Sequence, residues 1–215
     1  SPIAKWGQNI YNDYQSGQLH KYMEVEDDHF NNNTLDINRL DKYLEIVSSR
    51  KSIRKFLPKK IDKEVINKII SSGIAAPSSC NRQSWRFLTF TERHDKEYIA
   101  KIRNIKFITE TPLLIFVLVN MDFYTSNAQG DKRITPIMDG CTAMMNILNA
   151  CAACGLGSCW INFIASVGSE NIEAFKKKFN IPPQYVPISL IAAGYHEYKI
   201  KKPLRNTIED YIINS

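Results

Sequence analysis

The octapeptide SRKSIRKF, residues 49–56, sets four cations, Arg50, Lys51, Arg54 and Lys55, among two serines and two apolar residues. A solvated helix face tolerates such charge without needing its near alternation. In an extended chain successive side chains point to opposite faces. Arg50, Ser52 and Arg54 then share one face, and Lys51, Ile53 and Lys55 the other. Guanidinium, hydroxyl and guanidinium recur at about 7 Å, twice the strand rise. That row suits a molecule with an anionic end and polar groups strung along it, because guanidinium takes a phosphate bidentately and a hydroxyl reads a polyol oxygen. From composition alone, a solvated basic loop is the simpler reading. Three further segments change it: APSSCNRQSW at 76–85, GLGSCWI at 155–161 and GYHEYKIKKPLRNTIEDY at 194–211.

The elements that must position these segments follow from apolar spacing. Ile37, Leu40, Leu44 and Val47 make an amphipathic helical stripe just before the octapeptide. A second helix is expected over 62–75, with Asp62 as its cap and Val65, Ile66, Ile69 and Ile70 inward. WRFLTF, LLIFVLV and ISLIAAGY read as strands, the second and third buried. Helices are expected over 92–103, 137–154 and 169–180, and TIEDYI reads as a terminal helix. Asp139, following Pro136, reads as a cap or N-terminal charge of the long helix. Gly155 reads as that helix's stop. Strands and helices interleave, so the fold class is α+β or α/β, with helices covering a small mixed sheet.

Residues 1–36 stand apart as a polar, Asn- and Tyr-rich extension with Ile3, Trp6, Ile10 and Tyr14 at helical spacing, and the main domain is expected over 37–215. The chain's 215 residues suffice for one well-buried domain with an appended segment, and 44% hydrophobic with 23% charged residues is the ordinary globular balance. Net charge is +6, but the cations are scattered and no nucleic-acid module is visible, so no nucleic-acid partner is expected. Lys176, Lys177 and Lys178 read as a helix's wet face. LLIFVLV is too short to span a bilayer, and no signal peptide is visible, so no membrane partner is expected. Five cysteines without a secretory signal point to reduced thiols in a cytoplasmic protein. Cys151 and Cys154 have C-x-x-C spacing but sit at the end of an apolar helix, with no second pair and no nearby His to complete a metal set. No G-x-G-x-x-G follows a strand and no G-x-S-x-G elbow is present. His20, His29, His94 and His196 are isolated and receive no chemistry.

Together the segments resemble the nitroreductase family of FMN-dependent flavoproteins, from about Ile37 to the C-terminus. The family's Arg-Arg-Ser-x-Arg-x-Phe stands here as Arg50-Lys51-Ser52-Ile53-Arg54-Lys55-Phe56. Its Ala-Pro-Ser-x-x-Asn-x-Gln-Pro-Trp stands as Ala76 to Trp85, with Ser84 for the proline, and its Gly-Leu-Gly-Ser as Gly155 to Ser158. In this order the motifs reinforce one another. The resemblance implies a nitroreductase-like fold, with a mainly antiparallel sheet and an intertwined homodimer. It implies that Arg50, Lys51, Ser52 and Arg205 hold the FMN phosphate and ribityl chain, and that Arg54 lies near the flavin N1 and O2 edge. It implies that Pro77, Ser78, Ser79 and Asn81 reach the flavin from the partner subunit. Trp160, Ile161 and Asn162 would pass its N5 and O4 with backbone donors.

The implied activity is ping-pong hydride transfer from NADH or NADPH through flavin N5 to a small conjugated acceptor: a nitroaromatic, a quinone or a pathway metabolite. No protein side chain is expected to be catalytic by itself, since the chemistry is the cofactor's. The alternative is a non-catalytic FMN-binding accessory module whose N-terminal segment docks a partner. The loop over 121–136, with Phe123, Tyr124, Lys132 and Arg133, is the expected substrate lid.

Overall fold

A computed structural model describes residues 35–122, 134–197 and 204–213. The expected N-terminal extension falls almost wholly outside these, as do Phe123, Tyr124, Lys132 and Arg133 of the expected lid. Five helices, α1 (Ile37–Ser49), α2 (Lys63–Ile74), α3 (Arg93–Arg103), α4 (Ile134–Ala153) and α5 (Ser169–Lys178), are described, with four strands. The strands are β1 (Trp85–Phe90), β2 (Leu113–Asn120), β3 (Gly157–Asn162) and β4 (Tyr185–Gly194). They form one sheet in the order β1-β2-β4-β3, and every strand pair is antiparallel. Among the described residues the single parallel element is an isolated bridge between Ser52 and Ser158.

The sheet is covered on both faces, which defines an α+β sandwich. Ile69 of α2 and Ala143, Met144 and Ile147 of α4 pack against Ile115, Val117 and Val119 of β2 on one face. On the other, Ile99 of α3 and Phe175 of α5 meet Leu114, Phe116 and Leu118. Alternate β2 side chains thus enter opposite cores, and all eight are buried. This is why the strand reads as a continuous apolar run rather than an alternation. Phe116, Phe163 and Phe175 form a ring cluster with centroids 4.7 to 5.1 Å apart. The β2–β4 register shifts between Val117 and Leu118, opposite Ser189 and Pro187. Such a bulge lets an inner strand carry a proline, which cannot donate to the ladder.

Several local expectations change. α1 forms with Asp36 at its N-cap, the side chain accepting from the Arg39 N–H at 2.9 Å, but none of its residues is buried. Its stripe, Ile37, Leu40 and Leu44, is exposed. Asp62 occupies the N-cap of α2 without a capping side-chain bond. TIEDYI is not a helix but one 3-10 turn at Ile208–Asp210, closed by a Thr207–Asp210 capping box: six residues make too few intrahelical bonds to repay nucleation without packing. Lys176 is buried rather than wet, its Nζ donating to the Pro183 carbonyl at 2.9 Å. No described helix is long and apolar enough to cross a membrane.

α4 runs for 20 residues, about 30 Å. Its small residues serve the chain's own core. A Cβ on Gly140 would lie 2.8 Å from Val119 Cγ1. The face turned outward carries Ile134, Met138 and Met145, at helical spacings of four and seven.

Candidate functional site

α1 ends where Arg50 turns to extended backbone. The octapeptide then lies along the outer edge of β3. Ile53 donates its N–H to the Ser158 carbonyl at 2.9 Å, and its side chain is 2% exposed. That buried anchor fixes the alternation. Burial pushes the Cys159 thiol of β3 up, and this is partly offset by Arg54, by a hydrogen bond with Ser52 and by Arg50. Arg54 is exposed, and its Nη1 donates to the Ser52 carbonyl at 3.5 Å.

On the other side of the octapeptide a pocket of about 250 Å³ opens, lined by Arg50, Lys51, Ile53, Gly157, Ser158 and His196. Its back is the end of α4. There Gly155, at φ +77°, closes the helix: Leu156 N–H donates to the Cys151 carbonyl at 2.8 Å and Gly155 N–H to that of Ala152 at 3.1 Å. This pair of bonds is the Schellman stop, which a left-handed glycine makes cheaply. It hands the chain directly into β3, a strand not among those expected from the sequence. Gly157 packs tightly: a Cβ there would sit 2.7 Å from His196 Cδ2 and 2.8 Å from Ile53 Cγ1. Among the described residues lining the pocket there is no carboxylate. Two cations, a buried serine hydroxyl and a close-packed glycine suit a phosphate better than a metal or a neutral ligand.

β3 is an edge strand. The Phe163 N–H donates to the Ile188 carbonyl of the β4 chain, while Ser158, an even-numbered residue, faces the octapeptide. By the twofold alternation of an antiparallel ladder, Trp160 and Asn162 also turn their N–H and C=O outward, and Ile161 turns its own toward β4. Trp160 Nε1 donates to Ser189 Oγ at 3.2 Å, which fixes the ring. Arg103 Nε donates to the Asn162 carbonyl at 2.5 Å. The Ile161 side chain is buried.

The second motif forms a tight loop between α2 and β1. Cys80, Asn81 and Gln83 all have positive φ, from 47° to 52°. Asparagine tolerates this region; Cys and Gln pay for it. Asp139 holds the loop, its Oδ1 accepting from Ser79 N–H at 3.1 Å and its Oδ2 from Ser84 Oγ at 3.4 Å. Ser78 Oγ accepts from Gln83 N–H at 2.9 Å, and Thr142 Oγ1 donates to the Pro77 carbonyl at 3.1 Å. Asp139 is therefore no helix cap. α4 begins at Ile134, which places Asp139 in its second turn, buried against this loop.

Within one chain the expected site residues fall into separate groups. Arg50 and Lys51 share the pocket, with Ser52 and Arg54 on the adjoining face of the same segment. Pro77, Ser78, Ser79 and Asn81 pack near Thr142, ten residues or about 15 Å of helix from Ala152 beside the pocket. Arg205 is exposed in the C-terminal arm, with its Nη1 on the Leu204 carbonyl at 3.1 Å, and does not line the pocket. Two functional candidates carry little signal in the sequence. Asp139 follows Pro136 and so has the pattern of a cap, and His196 stands isolated from other histidines. The only sequence signal for His196 is its place two residues beyond a buried strand.

A sequence profile of the Nitroreductase family matches residues 47–108 and 103–195, so the chain belongs to that family. A relative from Methanothermobacter thermautotrophicus, described as "Putative NADH dehydrogenase/NAD(P)H nitroreductase", is 26% identical over 162 residues, 74% of this chain and 79% of that protein. A crystal structure from Parabacteroides distasonis with the same description superposes with TM-score 0.70 at 28% identity, covering 81% of this chain and 98% of the other. An FMN-dependent nitroreductase from Clostridium difficile shares the fold, with TM-score 0.65 at 22% identity, over 78% of this chain and 93% of its own.

Proposed function

We propose that the protein is an FMN-dependent oxidoreductase that takes reducing equivalents from NADH or NADPH and passes them to a small conjugated acceptor. The carrying observation is that Arg50 and Lys51 meet Ser158 in a pocket without acids, backed by the close-packed Gly157. The names of the relatives, an NAD(P)H nitroreductase and an FMN-dependent nitroreductase, support the same reading. FMN, when bound, supplies the two-electron chemistry, and the protein supplies position and electrostatics. Arg50 and Lys51 would hold the phosphate, with Ser52 along the ribityl chain. Arg54 would set a fixed positive charge beside the ring. The outward N–H groups of Trp160 and Asn162 would donate to its polar edge.

The site is completed, in this reading, by a second copy of the chain. A pocket of about 250 Å³ is smaller than the 300–1,000 Å³ typical of a whole small-molecule site. The loop carrying Pro77, Ser78, Ser79 and Asn81 lies too far along α4 to close it from within. Apolar surface awaits burial on α1 (Leu40, Leu44), on α4 (Met138, Met145) and on the arm (Ile208, Tyr211). Arg205 on that arm would reach a phosphate only once the arm is docked.

Anaerobic mixing with NADH and, separately, NADPH tests the function. Prompt bleaching of the flavin absorbance with either nucleotide, followed by recovery on adding a quinone, is the expected result. Purified protein that carries no FMN and takes none up would overturn the reading.

A further inference from the structure

His196 lines the pocket, yet its Nδ1 is buried with no hydrogen-bond partner. A buried N–H without an acceptor is among the rarest defects in proteins, whereas a bare acceptor is tolerated more readily. In the neutral ring the proton therefore belongs on Nε2. That atom adjoins Cδ2, the ring carbon that packs over Gly157 in the pocket. His196 lines the pocket, and with Nδ1 buried and bare, Nε2–H is the donor the ring has to offer there.

The placement is built rather than incidental. Leu57 N–H donates to the Tyr195 carbonyl at 2.8 Å, and Lys59 Nζ stands 4.2 Å over the Tyr195 ring. Gly194 admits the turn, because a Cβ there would lie 2.7 Å from Pro112 Cδ. Gly157 has no side chain to push the imidazole out. The residue next to His196 is thus tied to the segment that supplies Arg50 and Lys51.

We propose that His196 is a phosphate ligand, its Nε2–H serving as a third donor beside Arg50 and Lys51 to the phosphate monoester end of the flavin nucleotide. This rests on the flavin reading above and goes beyond it, since that reading gives His196 no role. A lining that offers guanidinium, ammonium and imidazole N–H donors and no carboxylate matches an oxyanion with several acceptor oxygens and discriminates against the unphosphorylated flavin.

The test is titration of the flavin-free full chain with FMN and with riboflavin, following the quenching of flavin fluorescence, for wild type, His196→Ala and His196→Gln. A hydrogen bond to a charged group implies that His196→Ala weakens FMN by roughly tenfold or more while leaving riboflavin unchanged. Gln places an amide N–H where Nε2–H stood, so His196→Gln should recover FMN binding to within about threefold of wild type. Equal losses for FMN and riboflavin would assign His196 a packing role and overturn the proposal. So would unchanged FMN binding in His196→Ala while Arg50→Ala loses it, which leaves the flavin reading standing. Wild type that binds neither flavin would instead sink the flavin reading itself, and this inference with it.

Discussion

Replacing Gly157 by alanine tests how the octapeptide and the glycine turn are fitted together. The new Cβ would meet His196 Cδ2 at 2.7 Å, Ile53 Cγ1 at 2.8 Å and Ile53 Cβ at 2.9 Å. Ordinary contact between carbons begins near 3.5 Å, so each neighbour must retreat by about half an ångström or more. The His196 ring can rotate. The Ile53 Cβ is fixed to a backbone whose N–H is bonded to Ser158, so the octapeptide itself must move. Overpacking of this kind costs about 1–3 kcal/mol. Gly157 does not have a positive φ, so alanine also restricts the unfolded chain and recovers about 0.4–1 kcal/mol. The net expectation is a loss of about 1–2 kcal/mol in urea unfolding, with weaker FMN binding because Arg50 and Lys51 shift with Ile53. Gly155→Ala is the contrast. Its Cβ would meet nothing within 4 Å, but its φ of +77° strains any side chain, at a cost of about 1–2 kcal/mol. Gly155→Ala should therefore lose stability with little change in FMN affinity. If Gly157→Ala bound FMN as tightly as wild type, the argued fit between β3 and the octapeptide would be refuted.

Asp139→Ala removes the acceptor of Ser79 N–H and leaves the buried Ser84 hydroxyl without it, so stability should fall by about 2–4 kcal/mol in urea melts. A loss under about 0.5 kcal/mol would mean that the loop holds its positive-φ residues without this carboxylate. Lys96 is buried with Nζ donating to the Thr111 carbonyl at 2.8 Å, and desolvation holds its pKa below the ordinary 10.5 despite Glu110 and Glu92. Between that lowered value and 10.5 the unfolded chain binds more protons at this site, so wild-type stability should rise with pH relative to Lys96→Met. Urea midpoints at intervals up to pH 10.5 check this, and a gap that stays constant contradicts it. Met138→Glu with Met145→Glu charges the outward stripe of α4, and on the proposed two-copy site light scattering should give a dimer mass for wild type and a monomer mass for the variant. An unchanged mass would remove α4 from the interface.

The sequence made some features legible because one force dominated each. LLIFVLV reads as a buried strand, and Gly155 after an apolar helix reads as a stop, and both form so. The octapeptide's alternation was readable in part because Ile53 is its one deeply buried residue; Arg50, just past the end of α1, departs from it and shares the pocket with Lys51 and Ile53. Other features depend on pairings that no local pattern encodes. The stripe of α1 has the period of a core helix, yet Ile37, Leu40 and Leu44 find no core within the described chain. β3 is short, begins at a glycine and mixes Ser, Cys and Trp, so its strand character comes from pairing with β4 rather than from propensity. Asp139 and Ser79 are 60 residues apart, and only folding makes them partners. His196 acquires meaning from Gly157, which lies 39 positions before it.

The outer edge of β3 carries a hazard that its neighbours contain. A strand with outward N–H and C=O groups is a template on which another molecule's strand can add. Here the bordering segment carries Arg50, Lys51, Arg54 and Lys55, and Arg103 already occupies the Asn162 carbonyl. Two such borders repel each other before their backbones can align. That protection is electrostatic, so it shrinks with the Debye length, from about 10 Å at 0.1 M salt to about 3 Å at 1 M. Concentrated salt should therefore promote strand-to-strand sticking through this border, and lysine or arginine there contributes to keeping the protein dispersed as well as to gripping an anion.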